Sequence, residues 1–286
     1  MIAIVDGGST KCDWVILDHQ ADFFSRTLTT GFNPNIINVE NIPSELEGNT
    51  ELAGLKFKIK HVFFYGSGCG IEENRQKVSK AFSQFFANAN IHVHEDLTAA
   101  AYSAYRGRPA IVCILGTGSN SCYFDGKDIR LELPSLGFLI GDDGSGCALG
   151  KTLVKDYFMK KLPPDLHAEF HQEYHLEIDE LIKNMYHNPR ANAYLADFSR
   201  FIAERKHHPY LQHMVYEELK NYFYYQVIAY PESRSAEINF IGSIAFFYEE
   251  VLRAAAAEFH LNVGMIVQKP IDNLVDYHKT YIIPDL

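Results

Sequence analysis

The sequence has little of the positive charge that nucleic-acid-binding and membrane-surface proteins carry. Its 26 basic residues face 36 acidic residues, which gives a net charge of -10 at pH 7. Such a charge repels phosphate backbones and anionic lipids unless a local basic patch compensates, and the sequence contains no such patch. We therefore expect no nucleic-acid partner and no membrane partner.

Long apolar runs and paired cysteines are also missing. The longest apolar stretches, such as residues 238–248, are far shorter than the ~20 residues of a spanning helix, and residues 1–6 lack the basic flank of a signal peptide. The five cysteines are odd in number and form no C-x-x-C pair, which argues against a disulfide framework or a structural zinc site. We expect a soluble, cytoplasmic protein with reduced thiols.

The sequence contains one unit twice, about a hundred residues apart. A short apolar run, a glycine-rich turn and a second strand-like run occur at residues 2–17 and again at residues 110–124. Helical patterns dominate the second half, at residues 147–161, 191–207 and 209–230. A chain of 286 residues is long enough for about two domains of ~100–200 residues. The repeat predicts two α/β domains, residues 1–107 and 108–286, with a helical insertion in the second.

The two glycine turns are candidate phosphate sites. Their sequences are Asp6-Gly7-Gly8-Ser9-Thr10-Lys11 and Gly116-Thr117-Gly118-Ser119-Asn120. Glycine lets backbone N–H groups converge on one point, hydroxyls and Lys11 could add donors and charge, and Asp6 could hold Mg²⁺ through water. One such turn alone is better explained as an ordinary hairpin turn, but two equivalent turns could hold one polyphosphate. Neither fits a Walker A loop, and a strand rather than a helix follows each, which excludes a Rossmann fingerprint.

The order of the motifs resembles a known family. The two turns, the segment His94-Glu95-Asp96-Leu97-Thr98, the segment Gly141-Asp142-Asp143-Gly144-Ser145 and Gly242-Ser243 are similar to the motif set of N-acetylglucosamine kinases. These kinases belong to the BadF/BadG/BcrA/BcrD ATPase group of the actin, hexokinase and Hsp70 superfamily. The resemblance implies two ribonuclease-H-like, actin-like ATPase domains around an interdomain cleft. Sugar and phosphate would bind to the first domain and adenosine to the second.

The resemblance also implies roles for individual residues. Asp96 would be the general base that takes the proton of the sugar hydroxyl, although an N-cap explains this residue equally well from the sequence alone. ATP and Mg²⁺ would be the cofactors, and Asp6 would be the residue that binds the metal. The residues implied in nucleotide binding are Gly7, Gly8, Ser9, Thr10, Lys11, Gly116, Thr117, Gly118, Ala196, Gly242, Ser243 and Phe246. Those implied in sugar binding are Asn33, Asp96, Ser119, Asn120, Ser135, Leu136, Gly137 and Asp142.

One departure from the family pattern bears on the acceptor sugar. These kinases commonly carry Gly-Gly-Trp-Gly ahead of the Gly-Asp motif, whereas this chain has Pro134-Ser135-Leu136-Gly137. An aromatic wall of the sugar pocket is therefore missing. The expected reaction is phosphorylation of N-acetylglucosamine to its 6-phosphate, with N-acetylmuramic acid or glucosamine as alternative acceptors.

Two other functions stay open from the sequence. The first is an ATP-driven activator of a radical dehydratase, the other activity of this group, which needs cysteines at a dimer interface to hold an iron–sulfur cluster. The second is a nucleotide-binding module without catalysis. The aromatic-rich helical region offers surface for a homodimer.

Overall fold

The chain is organised as two structural units. The computed structural model describes every residue, Met1–Leu286. Unit 1 comprises Met1–Tyr105 together with Pro270–Leu286, and unit 2 comprises Arg106–Lys269. The predicted boundary near residue 107 is close to the observed one, but the predicted second domain, 108–286, wrongly includes the last segment. Ile271 and Leu274 of that segment are fully buried against residues of unit 1, which is why it belongs there.

Unit 1 is built on a five-stranded mixed sheet with the order β3-β2-β1-β4-β5. β2 is antiparallel to both β1 and β3, whereas β1, β4 and β5 are parallel. The strands are β1 (Ile2–Gly7), β2 (Lys11–Leu17), β3 (Phe23–Thr30), β4 (His61–Gly66) and β5 (Asn90–Glu95).

Helices cover both faces of the unit 1 sheet, because successive side chains of a strand point to opposite faces. Ala3 and Val5 lie in one apolar core, which also contains residues of α1, α2 and α3, whereas Ile4 lies in a second core with residues of α4 and α14. The helices are α1 (Ile42–Glu47), α2 (Thr50–Leu55), α3 (Glu72–Phe85), α4 (Asp96–Ala104) and, from the end of the chain, α14 (Ile271–Tyr277).

Unit 2 repeats the topology of the unit 1 sheet. Its order is β10-β9-β6-β7-β8, in which β6 and β7 form the antiparallel hairpin and β6, β9 and β10 are parallel. The predicted duplication of one supersecondary unit is therefore confirmed. The strands are β6 (Ala110–Leu115), β7 (Ser119–Phe124), β8 (Ile129–Arg130), β9 (Glu237–Ile241) and β10 (Asn262–Val267).

The predicted helical insertion lies between β8 and β9 of unit 2. It contributes most of one apolar core, in which Tyr222 and Phe223 are fully buried, whereas the neighbouring Tyr224 and Tyr225 are exposed. The insertion consists of α5 (Gly137–Ile140), α6 (Gly146–Phe158), α7 (Pro164–Tyr174), α8 (Ile178–His187), α9 (Ala191–Asp197), α10 (Ser199–Glu204) and α11 (Pro209–Tyr222). Two further helices, α12 (Ser243–Phe247) and α13 (Glu249–Glu258), separate β9 from β10.

The structure differs from the predicted elements in several respects. The helix predicted over residues 191–207 is divided at Phe198, and a second break, at Tyr248, separates α12 from α13. β3 was not predicted, because it is an edge strand with no fully buried side chain and so carries little apolar pattern. Among the helices, none combines the length and the apolar character needed to cross a membrane.

Candidate active site

In unit 1, the ends of three parallel strands lie side by side. The register pairs Gly7 with Gly66 and Gly66 with Glu95. The residues that follow these strands therefore lie next to one another at the carboxyl edge of the sheet, where open α/β sheets bind their ligands. Asp96 and Ser67 lie at this edge.

Asp96 is the first residue of α4, and Glu95 occupies the N-cap position without a side-chain capping bond. The N-cap role that the sequence allowed for Asp96 is therefore not the observed one. Its Oδ2 accepts a hydrogen bond of 2.7 Å from the Ser67 hydroxyl. Burial raises the pKa of Asp96 above its usual range, while hydrogen bonds from Ser67 and from the Leu97 N–H act in the opposite direction.

The first glycine turn is a hairpin turn in which two backbone N–H groups donate no hydrogen bond within the protein. The Gly8 N–H donates to the Lys11 carbonyl at 2.9 Å, so Gly8 closes the turn and its amide is not free for phosphate. The N–H groups of Ser9 and Thr10 meet no acceptor within the protein. Of the residues predicted to bind phosphate here, Ser9 and Thr10 thus offer the available main-chain donors.

Gly31 holds this turn in place from behind. Its N–H donates to the Thr10 carbonyl at 3.0 Å, and a Cβ at residue 31 would overlap the backbone of Ser9. Only glycine allows this close approach.

Asp6, the predicted metal residue, lies on β1 directly opposite Asp13 of β2. Burial, the charge of Asp96 and the charge of Asp13 together raise the pKa of Asp6 to about 7, and Lys11 lowers it. Asp13 is itself held by Arg26 through two hydrogen bonds of 2.8 and 2.6 Å.

These charges fit a divalent cation. A cation near Asp6 and Asp96 would relieve the repulsion between these two partly buried carboxylates. The chain has no group of three or more acidic, histidine or cysteine side chains arranged to hold a metal. This agrees with Mg²⁺ chemistry, because Mg²⁺ commonly binds one or two carboxylates and completes its shell with substrate phosphates and water.

A network of amides in unit 1 connects the predicted sugar residue Asn33 with the turn. Asn33 Nδ2 donates to Ser9 Oγ at 2.8 Å, and Asn33 Oδ1 accepts from the Asn35 N–H at 3.0 Å. The buried Asn74 of α3 donates to Asn35 Oδ1 at 2.9 Å and to the Gly68 carbonyl at 2.8 Å. Both the nitrogen and the oxygen of the Asn33 side-chain amide are therefore hydrogen-bonded.

The sequence reasoning missed Ser67, Asn35 and Asn74. The segment Gly66-Ser67-Gly68-Cys69-Gly70 was visible as a glycine-rich strand end, which was the available signal for Ser67. Asn74 gives no such signal, since a polar residue on an amphipathic helix is normally on its solvent side.

In unit 2, the second glycine turn is bound by a helix N-terminus. The N–H groups of Gly146 and Cys147, at the start of α6, donate to the carbonyls of Gly116 and Thr117 at 2.8 and 3.0 Å. The Gly116 N–H donates to the Gly118 carbonyl at 3.0 Å, which closes the turn.

Asp142 lies against this turn. A Cβ at Gly118 would come within 2.8 Å of Asp142 Oδ2, and the Ser119 N–H is 3.4 Å from Asp142 Oδ1. The Ser119 hydroxyl donates to the Asp143 carbonyl at 2.8 Å. Asp142 has a left-handed backbone with φ of 59°. The turn and this aspartate therefore form one local arrangement.

The predicted sugar residues around Asp142 lie in the same region. Gly141 precedes Asp142, its N–H donates to the Gly137 carbonyl at 2.8 Å, and its Cα faces Leu136. Leu136 is 55% exposed, and Ser135 and Gly137 flank it in the chain. Asn120 accepts through its carbonyl from the Tyr222 hydroxyl at 3.0 Å.

Two of the residues predicted to bind adenosine lie close to the second turn or to α6. Gly242 lies beside the start of the turn, and Ala196 lies beside Gly146 of α6. Gly242 has φ of 126°, and a Cβ there would overlap the Leu115 carbonyl and lie close to the Gly116 nitrogen. A Cβ at Gly146 would contact the side chain of Ala196 at 3.6 Å. Ser243 follows Gly242 as the first residue of α12, and Phe246 on the same helix is 45% exposed.

The sequence of the chain matches a described protein family. The family model described as BadF/BadG/BcrA/BcrD ATPase family matches residues 5–164. The chain belongs to this family. No curated protein sequence matches the chain.

Solved structures of several other proteins share its fold. A candidate N-acetylglucosamine kinase from Porphyromonas gingivalis is 33% identical, with a TM-score of 0.91 over 98% of this chain and 99% of that one. A candidate N-acetylglucosamine kinase from Chromobacterium violaceum is 17% identical, with a TM-score of 0.69 over 96% and 98%. A ROK family glucokinase from Streptomyces griseus, in complex with glucose and AMPPNP, is 13% identical, with a TM-score of 0.55 over 97% and 98%. The predicted actin-like ATPase fold is confirmed.

Proposed function

We propose that this protein is an ATP-dependent sugar kinase whose acceptor is an amino sugar, with N-acetylglucosamine as the first candidate and its 6-phosphate as the product. The observation that carries the proposal is the position of Asp96, a partly buried carboxylate at the carboxyl edge of parallel strands that is hydrogen-bonded to Ser67 and whose charge raises the pKa of Asp6. The 33% identity to the Porphyromonas gingivalis protein over nearly both chains supports the choice of acceptor class.

In the proposed reaction, Asp96 acts as general base. Its carboxylate orients the primary hydroxyl of the sugar and accepts its proton as the oxygen attacks the γ-phosphorus of ATP. The bond between that phosphorus and the bridging oxygen breaks, and ADP leaves. Phosphoryl transfer depends mainly on positioning and on charge stabilisation, so fixed donors around the phosphates matter more than covalent chemistry.

Each unit offers its own candidate contacts for the nucleotide. The amides of Ser9 and Thr10 in unit 1 and the Gly116–Gly118 turn in unit 2 would contact phosphate, and Gly242, Ala196 and Phe246 would contact adenosine. Bound Mg²⁺ would neutralise charge on the phosphates. Asp6 is the residue that would hold it, directly or through water.

The acceptor sugar would contact Asn33, Asp96, Ser119 and Asp142. Carboxylates and amides of this kind accept and donate hydrogen bonds to the hydroxyls and the acyl amide of an amino sugar. Because Leu136 stands where related kinases commonly have an aromatic residue, N-acetylmuramic acid and glucosamine stay as alternative acceptors.

The structure does not favour the alternative role as an activator of a radical dehydratase. That role needs cysteines at a surface, and all five cysteines are free thiols with no exposed surface. Burial raises the pKa values of Cys12, Cys69, Cys113 and Cys147 to about 12, as is usual for thiols inside an apolar core.

The decisive experiment is an acceptor screen. The purified protein is incubated with ATP and Mg²⁺ and with N-acetylglucosamine, N-acetylmuramic acid, glucosamine, N-acetylmannosamine or glucose, and ADP release and product mass are measured. We expect sugar-dependent ADP release and a product heavier by one phosphoryl group for an amino sugar, and none after chelation of Mg²⁺. ATP binding without turnover on any sugar would contradict the proposal.

A further inference from the structure

Ser67 lies in a loop that has room for few side chains. A Cβ at Gly66 would overlap the Phe64 ring and lie 3.0 Å from Cys69 Sγ. Gly68 has a left-handed φ of 83°, and a Cβ there would overlap the Asn33 amide. The serine is therefore the one side chain between two positions that require glycine.

The backbone of the same loop is bound on both sides. The Ser67 N–H donates to the Gly7 carbonyl at 2.8 Å, which connects the loop to the strand that leads into the first glycine turn. The Gly68 carbonyl accepts from Asn74 Nδ2 at 2.8 Å. Because both bonds fix the main chain, the Cβ of Ser67 has a fixed position, and the hydroxyl reaches Asp96 from it through a single rotatable bond.

That hydroxyl meets the proposed base. Its hydrogen bond to Asp96 Oδ2 is 2.7 Å long, and hydrogen bonds to an ionised carboxylate are stronger than those between neutral groups. An oxygen held in this way cannot rotate freely, so the other oxygen of the carboxylate keeps one direction. A general base must lie within hydrogen-bond reach of the proton that it removes, so this direction matters for catalysis.

Resting on the proposed function, we propose that Ser67 is a positioning residue: its hydroxyl fixes the Asp96 carboxylate in the orientation that accepts the proton of the sugar. Ser67 touches neither the sugar nor ATP in this role. Through its N–H bond to Gly7 it also keeps the base in register with the phosphate-binding turn.

The test compares Ser67→Ala with Ser67→Thr, which keeps a hydroxyl. We expect Ser67→Ala to lower kcat with the best amino sugar about 10- to 100-fold, with the KM for ATP changed by less than about threefold. Ser67→Thr should recover most of kcat. Ser83→Ala is the matched control, because it removes a serine hydroxyl that bonds a carbonyl on the exposed side of α3, and it should leave both constants unchanged.

A thermal melt of each variant distinguishes a loss of kcat caused by misplacement of Asp96 from a loss caused by unfolding. If Ser67→Ala lowers the melting temperature strongly, Ser67→Cys, which keeps the size of the side chain but donates only weakly, replaces it in the comparison. Unchanged kcat in a folded variant without the hydroxyl, or a loss of kcat that Ser67→Thr shares, overturns the role of Ser67. These outcomes presuppose a wild-type protein that phosphorylates a sugar, so a failure of the proposed function itself appears separately, in the wild type.

Discussion

Asn33 and Ser9 are joined by a hydrogen bond of 2.8 Å from the amide of Asn33 to the hydroxyl of Ser9. The bond connects the loop predicted to contact the sugar with the turn predicted to contact phosphate, and both belong to unit 1. The two parts of the proposed reaction therefore share one hydrogen-bonded support.

Removing this amide should weaken acceptor binding more than nucleotide binding. We expect Asn33→Ala to raise the KM for the sugar about 10- to 100-fold, because the variant loses its own contact with the sugar and the support of Ser9. Steady-state kinetics with each substrate varied in turn measures this. Asn38→Ala is the matched control, since Asn38 also accepts from the N–H two residues later. A sugar KM that does not change in Asn33→Ala would remove this residue from the proposed acceptor site.

Replacing the proposed base should separate chemistry from binding. Asp96→Asn keeps the shape of the side chain but cannot accept the proton, so we expect kcat to fall by about 10²- to 10⁴-fold with ATP affinity nearly intact. Turnover and ATP titration calorimetry provide the two readouts. Asp18→Asn tests whether loss of any loop carboxylate has this effect, because Asp18 also accepts backbone hydrogen bonds, at 2.8 and 3.0 Å, in an exposed turn. Normal turnover in Asp96→Asn would refute its role.

The contact between Gly118 and Asp142 predicts a steric effect. An added methyl group at residue 118 must displace the Asp142 carboxylate, which lies 2.8 Å from that point. We expect Gly118→Ala to raise the KM for the sugar at least tenfold in a protein that stays folded, as judged by circular dichroism. Gly54→Ala, on α2, meets open space and should behave as the wild type. If the KM of Gly118→Ala equalled that of wild type, Asp142 would not be a sugar ligand.

The buried imidazole of His278 in unit 1 should make stability depend on acid pH. His278 is fully buried, its Nε2 lies 2.8 Å from the Tyr65 hydroxyl, and burial with the nearby His94 and His92 lowers its pKa to about 3. The unfolded chain takes up the proton near pH 6.5, whereas the folded chain resists it. The contribution of neutral His278 is therefore complete above about pH 6.5 and is lost progressively as the pH falls toward 3.

Urea unfolding followed between pH 8 and pH 4.5 measures this effect. We expect the free energy of unfolding of wild type to fall with acidification, and that of His278→Gln to fall less steeply, because the variant has no proton to gain at this position. His19→Gln, which replaces an exposed histidine, should follow the wild-type slope. Equal slopes for wild type and His278→Gln would show that another group controls acid stability.

Local patterns in the sequence were enough to predict the central strands of each sheet. β6 lies at the start of the repeated unit that the sequence places at residues 110–124, because a buried strand is a continuous apolar run that ends at turn residues. The glycine turns were found in the same way. Edge strand β3 was missed because its exposed, alternating residues carry little hydrophobic signal.

Contacts between distant parts of the chain were beyond that reasoning. The network of Asn33, Asn35 and Asn74 joins residues that are separated along the chain, and no local period indicates that they meet. The same holds for Ser67 and Asp96, which the parallel pairing of β4 and β5 brings together. The resemblance to a family indicated candidate catalytic and binding residues. The structure adds the residues that form hydrogen bonds with them.

The return of Pro270–Leu286 to unit 1 has a consequence for biosynthesis. Ile4, Val15 and Phe63 form an apolar surface that Ile271 and Leu274 help to cover. During translation the strands that carry this surface are synthesised first. The surface then stays exposed until all of unit 2 has been translated and the last segment can cover it. Products truncated before residue 270 should therefore be prone to aggregation and to capture by chaperones.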